Sequence, residues 1–307
     1  MRMGADRERP AWGSLPTVLR ERILAEVGGS YVADEPAHGG FSAGYAGRVR
    51  TTAGDVFVKA VASDGHADSA LFLRQEIAVL EALAPGIAPT LQAGIDDETG
   101  TACVLPVVEG RHPGSPWTVE HLHAVAEGMS VLSVTPAPAT LPSAAQSMIP
   151  GCVRWPEIAT SSESLAGLPI RIRDRMPQLV ALSDAIGEAI DGDVIIHGDL
   201  RADNILISGE RAQFLDWPHA RRGAAWVDLP WFLPSVEAAG GPPCAAAWTI
   251  FEERGAPSQE SMLPVIAGIA SFFWFEQARP EIPQLPGLRA FQRAQAAPAL
   301  RWLEELV

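Results

Sequence analysis

Residues 197–204 read HGDLRADN, and this polar stretch lies between two short apolar runs, 194–196 (VII) and 205–207 (ILI). Apolar runs of this length are typical of buried strands, so the residues between them are predicted to form a turn whose side chains face a site. Within the turn, Asp199 offers a carboxylate that can accept a proton, and Asn204 offers a neutral carbonyl oxygen to a hard cation. The stretch therefore indicates chemistry rather than packing.

Asn204 and Asp216 have the chemistry of a minimal Mg²⁺ site. Asp216 follows the next strand-like run, 213–215. Magnesium prefers oxygen ligands and usually takes one or two carboxylates from the protein, with water and phosphate completing the shell. Asp199 precedes Asn204 by five residues, where a substrate hydroxyl would approach a metal-bound phosphate. This spacing, with a second aspartate at a strand end, is the catalytic pattern of kinase-like phosphotransferases.

Two residue types occur only once in the chain. Asn204 is the single asparagine and Lys59 the single lysine among 307 residues, whereas arginine is frequent. A lysine that persists among arginines indicates a position where a planar guanidinium does not replace a compact ammonium. Lys59 lies in the strand-like run 55–60, and Glu76 lies on the helical segment that follows. Kinase-like enzymes place a phosphate-binding lysine and its glutamate partner in this order.

Taken in order, these motifs resemble the aminoglycoside phosphotransferase family, a group of small-molecule phosphotransferases related to choline kinases. The glycine after His197 separates this branch from the protein kinases, which have arginine there. The resemblance covers most of the chain, and the order of the motifs is more specific than any one of them. The motifs are HGGFSAG, FVKA, RQEIAVLEAL, VEGRHP, HGDLRADNIL, FLDWPHA, GAAWVDLPWFLPS and LPGLRAFQRAQAAPALRWLEEL.

The resemblance implies an α+β, two-lobed protein-kinase-like fold. A small lobe of antiparallel sheet with one inserted helix would bind the nucleotide, and a larger, mainly helical lobe would carry the catalytic residues and bind the acceptor. The predicted boundaries are 1–108 for the first lobe, 109–117 for the connection and 118–307 for the second lobe. The strand-like runs, the helical spacing in 69–83 and the Gly- and Pro-rich segment 109–117 agree with this division.

The resemblance also implies roles for the residues of the polar stretch. Asp199 would be the catalytic aspartate that orients the acceptor hydroxyl. His197 would brace the loop, and Arg201 would help to neutralise the transferring phosphoryl group. Asn204 and Asp216 would hold Mg²⁺.

The phosphate donor implied by the resemblance is ATP or GTP. The glycine-rich stretch 38–44 would contact its phosphates, and the backbone of the inter-lobe connection would receive the purine. The residues assigned to the nucleotide are Lys59, Glu76, Gly40, Ser42, Val107 and Val108.

Charge and composition exclude several other classes of protein. The formal net charge is −14, which argues against a nucleic-acid partner because phosphate backbones are recognised by basic surfaces. The longest apolar stretch, 262–275, is too short to span a bilayer and is predicted to be a buried helix. The three cysteines lack paired spacing, so neither disulfides nor a zinc site is expected. A cytoplasmic protein with no membrane or protein partner is predicted.

The acceptor is predicted to be a hydroxylated small molecule. Residues 120–307 hold 22 acidic and 13 basic side chains, which suits a cationic antibiotic such as an aminoglycoside. A kinase of a metabolic or biosynthetic alcohol is the alternative within the same chemistry, and a nucleotide-binding pseudoenzyme is the alternative from another class. The acidic residues predicted for the acceptor region are Glu237, Glu252, Glu253, Glu260 and Glu276.

Further positions have simpler interpretations. Asp203 is interpreted as a turn or capping residue, with a substrate contact as the alternative. Asp228 either caps a helix or ties the catalytic loop. A first amphipathic helix is predicted for 15–27, ended by the glycine pair 28–29.

Overall fold

A computed structural model of the protein describes residues 9–37, 43–282 and 287–307. Two of the predicted nucleotide-binding residues, Gly40 and Ser42, lie outside the described residues.

The described residues form two compact units. One contains the chain up to Gly110 together with Phe214–His219, and we call it the small unit. The other contains Arg111–Gln213 and Ala220–Val307, and we call it the helical unit. The segment Phe214–His219 thus belongs to the small unit although it lies far along the chain.

The described part of the small unit is an antiparallel sheet with helices. Its strands pair in the order β1-β2-β3-β5-β4. Because side chains alternate between the two faces of a sheet, Val58 and Ala60 face one side of β3 and Lys59 faces the other. The elements are α1 (Thr17–Val27), β1 (Tyr31–Pro36), β2 (Tyr45–Thr51), β3 (Gly54–Ala62), α2 (Ala67–Ala82), β4 (Ala93–Asp97) and β5 (Gly100–Pro106).

Helix α1 covers one face of this sheet. Leu19 and Ile23 are fully buried and belong to one apolar core with Val58 and Ala60. The helix begins at Thr17 rather than at the predicted residue 15, because a residue that precedes a proline is biased away from the helical region. At its other end the helix stops as predicted, with Gly28 in the left-handed conformation (φ 77°).

Strand β4 ends in polar residues. It spans Ala93–Asp97, and Asp96 pairs with Thr101 on β5. The Asp96 carboxylate accepts hydrogen bonds from Arg74 and from the Thr101 hydroxyl, which satisfies a polar residue on an edge strand.

The helical unit carries the polar stretch 197–204 between two of its strands. Strand β6 pairs with β9, and β7 pairs with β8. The elements are α3 (Val119–Leu132), α4 (Ala144–Ser147), α5 (Ile149–Cys152), α6 (Trp155–Thr160), α7 (Ser162–Ala166), α8 (Ile170–Asp174), α9 (Met176–Ile190), β6 (Val194–Ile196), β7 (Ile205–Ser208), β8 (Arg211–Phe214), β9 (Arg221–Gly223), α10 (Asp228–Ala238), α11 (Cys244–Glu252), α12 (Leu263–Glu276) and α13 (Leu288–Leu306).

Helix α12 is central to the helical unit. It packs against α9 and α13, and its residues from Val265 to Ser271 are all buried. The prediction of a buried helix at 262–275 is therefore confirmed. None of the helices in the described ranges has both the length and the apolar character needed to cross a membrane. All three cysteines are buried free thiols.

Candidate active site

Lys59 is the centre of a charged cluster in the small unit. The lysine points away from the α1 side of the sheet, and its ammonium lies 2.7 Å from both carboxylate oxygens of Glu76 on α2. The same ammonium lies 2.6 Å from Oδ1 of Asp216. Only 19% of the Lys59 side chain and 3% of the Glu76 side chain are exposed, against 41% for Asp216. A nearly buried ammonium is thus held between a buried carboxylate and an accessible one.

The cluster is electrostatically coupled. Burial alone would lower the pKa of Lys59, but the carboxylates of Asp216 and Glu76 outweigh it and raise the pKa above its usual value. Burial raises the pKa of Glu76, while the Lys59 ammonium opposes that rise. A buried lysine without these partners would tend to lose its proton, so the two carboxylates keep it a cation.

Asp216 is held in an unusual backbone conformation. Its φ of 67° lies in the left-handed region, which residues other than glycine rarely adopt and which costs about 1–3 kcal/mol. The neighbouring Trp217 is fully buried, and its indole N–H donates to the carbonyl of Phe214. The Trp217 backbone N–H also donates to Glu76 at 3.4 Å. These two hydrogen bonds of Trp217 fix the backbone next to Asp216 while the Asp216 carboxylate contacts Lys59.

In the helical unit, Asn204 holds the backbone and the side chain of Asp199 together. Its amide nitrogen donates to the Asp199 carbonyl at 2.9 Å and to Asp199 Oδ2 at 3.1 Å. Asn204 is only 4% exposed, whereas the Asp199 side chain is 32% exposed. Because the amide nitrogen is bonded to Asp199, the amide oxygen is the atom of Asn204 that would act as a ligand.

Asp228 supports the same loop from α10. Its carboxylate accepts the backbone N–H of His197 and that of Gly198, both at 2.8 Å. The structure thus decides between the two interpretations of Asp228, because its side chain ties the loop at His197 and Gly198 and the N-cap position of α10 is Val227. Burial raises the pKa of Asp228 to about 6, although the two N–H groups oppose the rise.

His197 and Gly198 shape the turn itself. His197 is fully buried, and its Nδ1 accepts the backbone N–H of Asp199 at 3.3 Å. Gly198 has a φ of 79°, a conformation that glycine adopts without strain. The left-handed backbone conformation at this position therefore explains why the motif has glycine after His197.

Arg201 lies between two aspartates of the loop. Its Nε is 3.0 Å from Asp203 Oδ1 and 3.6 Å from Asp199 Oδ2. The Arg201 side chain is only 14% exposed. Asp203, interpreted from sequence as a turn residue, is therefore also an ion-pair partner of Arg201.

The predicted purine-binding residues Val107 and Val108 directly follow the end of β5 and are half-buried. In the helical unit, Arg111 forms an antiparallel bridge with Ile207 on β7. His112 Nδ1 is hydrogen-bonded to the carbonyl of Ile205, the residue after Asn204. His112 belongs to the VEGRHP motif, but its role could not be predicted from sequence because its partner is 93 residues away in the chain.

Two of the glutamates predicted for the acceptor region are already paired. Glu237 binds Arg301 and accepts the backbone N–H of Cys244. Glu276 is 8% exposed and pairs with Arg289 at 2.7 Å and with Arg279 at 3.2 Å. The other three, Glu252, Glu253 and Glu260, are exposed.

A cavity of about 400 Å³ lies where α12 ends and α13 begins. Glu276, Arg279 and Arg289 line it together with Gln292. Among the described residues, including those that line this cavity, no three His, Cys, Asp or Glu side chains come together as a metal site.

An ammonium held by a helix glutamate and an aspartate at a strand end, in a unit of antiparallel sheet, defines a kinase-like phosphotransferase. The family comparison agrees, because the model of the phosphotransferase enzyme family (APH) matches residues 36–262. The chain belongs to this family, and the prediction that it is a phosphotransferase is confirmed. No curated protein matches the sequence.

Solved structures share the fold. Choline kinase LicA from Streptococcus pneumoniae superposes with a TM-score of 0.59 at 16% identity, over 93% of this chain and 98% of that chain. Aminoglycoside phosphotransferase APH(3'')-Id from Streptomyces rimosus, in complex with ADP and streptomycin, superposes with a TM-score of 0.50 at 17% identity, over 84% of this chain and 99% of that chain. A thermostable mutant of aminoglycoside phosphotransferase APH(4)-Ia, in a ternary complex with AMP-PNP and hygromycin B, superposes with a TM-score of 0.52 at 15% identity, over 95% of this chain and 98% of that chain. These similarities confirm the α+β, protein-kinase-like fold.

Proposed function

We propose that the protein transfers the γ-phosphoryl group of ATP or GTP to a hydroxyl group of a small molecule, with Mg²⁺ as cofactor. The observation that carries the proposal is the Lys59 ammonium held by Glu76 and Asp216. The family membership supports it, as do nucleotide complexes among the structural relatives.

In the small unit, Lys59 would bind the nucleotide phosphates. A cation fixed in place before the substrate arrives stabilises developing negative charge without the cost of reorganisation. Glu76 holds the ammonium from the buried side, so the accessible Asp216 can exchange its contact with Lys59 for one with a bound cation. Val107 and Val108 would receive the purine through their backbone groups.

In the helical unit, Asp199 would accept the proton of the acceptor hydroxyl. The acceptor oxygen then bonds to the γ-phosphorus as the bond from that phosphorus to the nucleoside diphosphate oxygen breaks. Asn204, His197 and Asp228 fix the orientation of Asp199, and Arg201 would neutralise charge on the transferring group. The contribution of the protein is mainly positioning and electrostatics.

The donor chemistry of this chain fits Mg²⁺. Asn204 offers an amide oxygen and Asp216 a carboxylate, and both are hard oxygen ligands. When bound, the ion would neutralise phosphate charge. Asn204 belongs to the helical unit and Asp216 to the small unit. That both residues bind one ion stays a prediction.

The acceptor class is narrowed by the arginine pairs. Glu237 and Glu276 already hold Arg301 and Arg289, so a cationic acceptor would have to displace an arginine from each. This favours a neutral hydroxylated metabolite over an aminoglycoside at these two residues. Glu252, Glu253 and Glu260 are exposed and are the acids that a cationic antibiotic would use.

A substrate panel tests the proposal. Aminoglycosides, other hydroxylated antibiotics and metabolic alcohols would be screened by thermal shift with a non-hydrolysable ATP analogue and Mg²⁺. Candidates that raise the melting temperature would then be assayed for ADP formation and for the phosphorylated product. Nucleotide binding without product from any acceptor would instead support the pseudoenzyme.

A further inference from the structure

One face of α2 carries three buried residues at helical spacing. Ser69, Leu73 and Glu76 are 7%, 5% and 2% exposed, and positions four and seven residues apart lie on the same side of a helix. Leu73 packs into the core, and Glu76 holds Lys59. A serine on this face needs a separate explanation, because a buried hydroxyl is unfavourable unless it is hydrogen-bonded.

Ser69 is bonded to the end of the glycine-rich stretch 38–44. Its hydroxyl oxygen accepts the backbone N–H of Ala43 at 3.1 Å. Ala43 is 26 residues away in the chain, so this is a contact between a helix and a distant segment rather than a local turn. The helix that fixes Lys59 through Glu76 therefore also fixes the backbone at Ala43.

The next residue, Gly44, is fixed against β3. A Cβ atom added to Gly44 would lie 2.7 Å from the carbonyl oxygen of Ala60, the residue after Lys59, and 2.7 Å from a methyl group of Val61. Arg9 also donates to the Gly44 carbonyl, at 3.5 Å. The end of the glycine-rich stretch is thus held by β3 on one side and by α2 on the other.

We propose that Ser69 is a positioning residue that couples the end of the glycine-rich stretch, at Ala43 and Gly44, to the helix carrying Glu76. The backbone at Ala43 and the ammonium of Lys59 are then held by the same face of α2. The inference rests on the proposed function, in which Lys59 binds the phosphates, and on the prediction from sequence that the glycine-rich stretch contacts them. Ser69 would contact no nucleotide atom itself.

The proposal predicts which part of the nucleotide is affected. Adenosine has no phosphates, so its affinity depends on the purine-binding backbone and not on the glycine-rich stretch or Lys59. MgATP depends on all three. Loss of one backbone hydrogen bond would weaken MgATP binding by roughly three- to tenfold and leave adenosine binding unchanged.

The experiment measures dissociation constants for MgATP and adenosine by titration calorimetry on the full-length protein. The variants are S69A, which removes the acceptor, and S69T, which restores a hydroxyl. S183A is the matched control, because Ser183 is also a helical serine, 6% exposed, whose hydroxyl bonds to a backbone carbonyl. Thermal unfolding of each variant confirms that it is folded.

The expected result is weaker MgATP binding by S69A alone, recovery in S69T and wild-type behaviour in S183A. Equal losses for MgATP and adenosine in S69A would overturn the proposal, because they would indicate a general effect on the small unit. Unchanged MgATP binding in S69A would also overturn it. Failure of the wild-type protein to bind either ligand would refute the proposed function itself, and the two failures are thereby distinguished.

Discussion

The two groups of candidate residues are held in place by different kinds of interaction. In the small unit, Lys59, Glu76 and Asp216 are side chains that hold one another by charge, across separations of up to 157 residues. In the helical unit, Asp199 is held mainly by backbone and amide hydrogen bonds within 197–204, with Asp228 as the anchor.

This difference suits the two proposed tasks, which are phosphate binding in the small unit and proton acceptance in the helical unit. A charged cluster can exchange partners when an anionic phosphate or a cation arrives, because one ion replaces another. A loop held by backbone hydrogen bonds keeps a fixed shape, which a proton acceptor needs for alignment with a hydroxyl. Substitutions in the two regions are therefore expected to fail in different ways.

Removing the carboxylate of Asp199 should have the largest effect. In D199A the phosphoryl transfer rate should fall by about 100- to 10,000-fold, the range for loss of a positioned general base. MgATP affinity should stay near that of the wild type, because the groups proposed to bind the phosphates are in the small unit. Steady-state kinetics and calorimetry measure the two quantities. Loss of both together would contradict the assigned role.

Exchanging the ammonium for a guanidinium tests the small unit. K59R keeps the charge but changes its shape, and we expect kcat to fall by about 100-fold, as when one charge-stabilising group is lost. The matched control is R22K, the reverse exchange at a half-exposed position of the same unit. A K59R enzyme with wild-type kcat would refute the inference drawn from the single lysine.

Asp228 tests the anchor of the loop. In D228N the side chain offers one acceptor oxygen instead of two, so either His197 or Gly198 keeps a buried N–H without its partner. Near pH 4, where Asp228 makes its full contribution, the free energy of unfolding should fall by about 1–3 kcal/mol. Chemical denaturation measures this change, with D174N at an exposed position as the control. Equal stability of D228N and the wild type would contradict the anchoring role.

The same residue predicts a pH dependence. Burial raises the pKa of Asp228 to about 6, above the ordinary value of 3.8, so the folded protein binds this proton more tightly than the unfolded chain. The stability that Asp228 contributes is therefore fully present below about pH 4 and is lost as the pH rises to about 6. Relative to D228N, the wild type should lose stability across this window. A difference in unfolding free energy between the wild type and D228N that stays constant across this window would contradict the raised pKa of Asp228.

Asp203 should give the smallest effect. D203N removes a half-exposed partner of Arg201, and ion pairs of this exposure are worth about 0.2–1 kcal/mol. We expect kcat to fall by about two- to fivefold with the KM for ATP unchanged. D193N removes an equal charge from an exposed pair with Arg222 and serves as the control. An equal effect of D193N would show that net charge alone is responsible.

The charged cluster could be predicted from the sequence because its residues are chemically distinctive. Lys59 is the only lysine, Glu76 has the expected helical position, and Asp216 ends a strand-like run. Such residues can be recognised without knowing their neighbours. Their order along the chain was enough to predict that they act together.

The supporting contacts could not be predicted in the same way. Ser69 is one serine among many, and only the folded chain brings it to Ala43. The pairing of Glu237 with Arg301 also depends on tertiary packing, because the two residues are 64 positions apart. Sequence pattern reports which side chains have special chemistry, whereas packing decides which of them are already satisfied.

The chain offers a direct test of its central claim, because its single lysine gives a single side-chain ammonium signal. Protein labelled with ¹⁵N at the lysine Nζ would be titrated with MgATP and, separately, with adenosine. The account predicts that the Lys59 signal shifts on saturation with MgATP and stays in place with adenosine, since only phosphates reach the ammonium. An unchanged signal in protein saturated with MgATP would contradict the account.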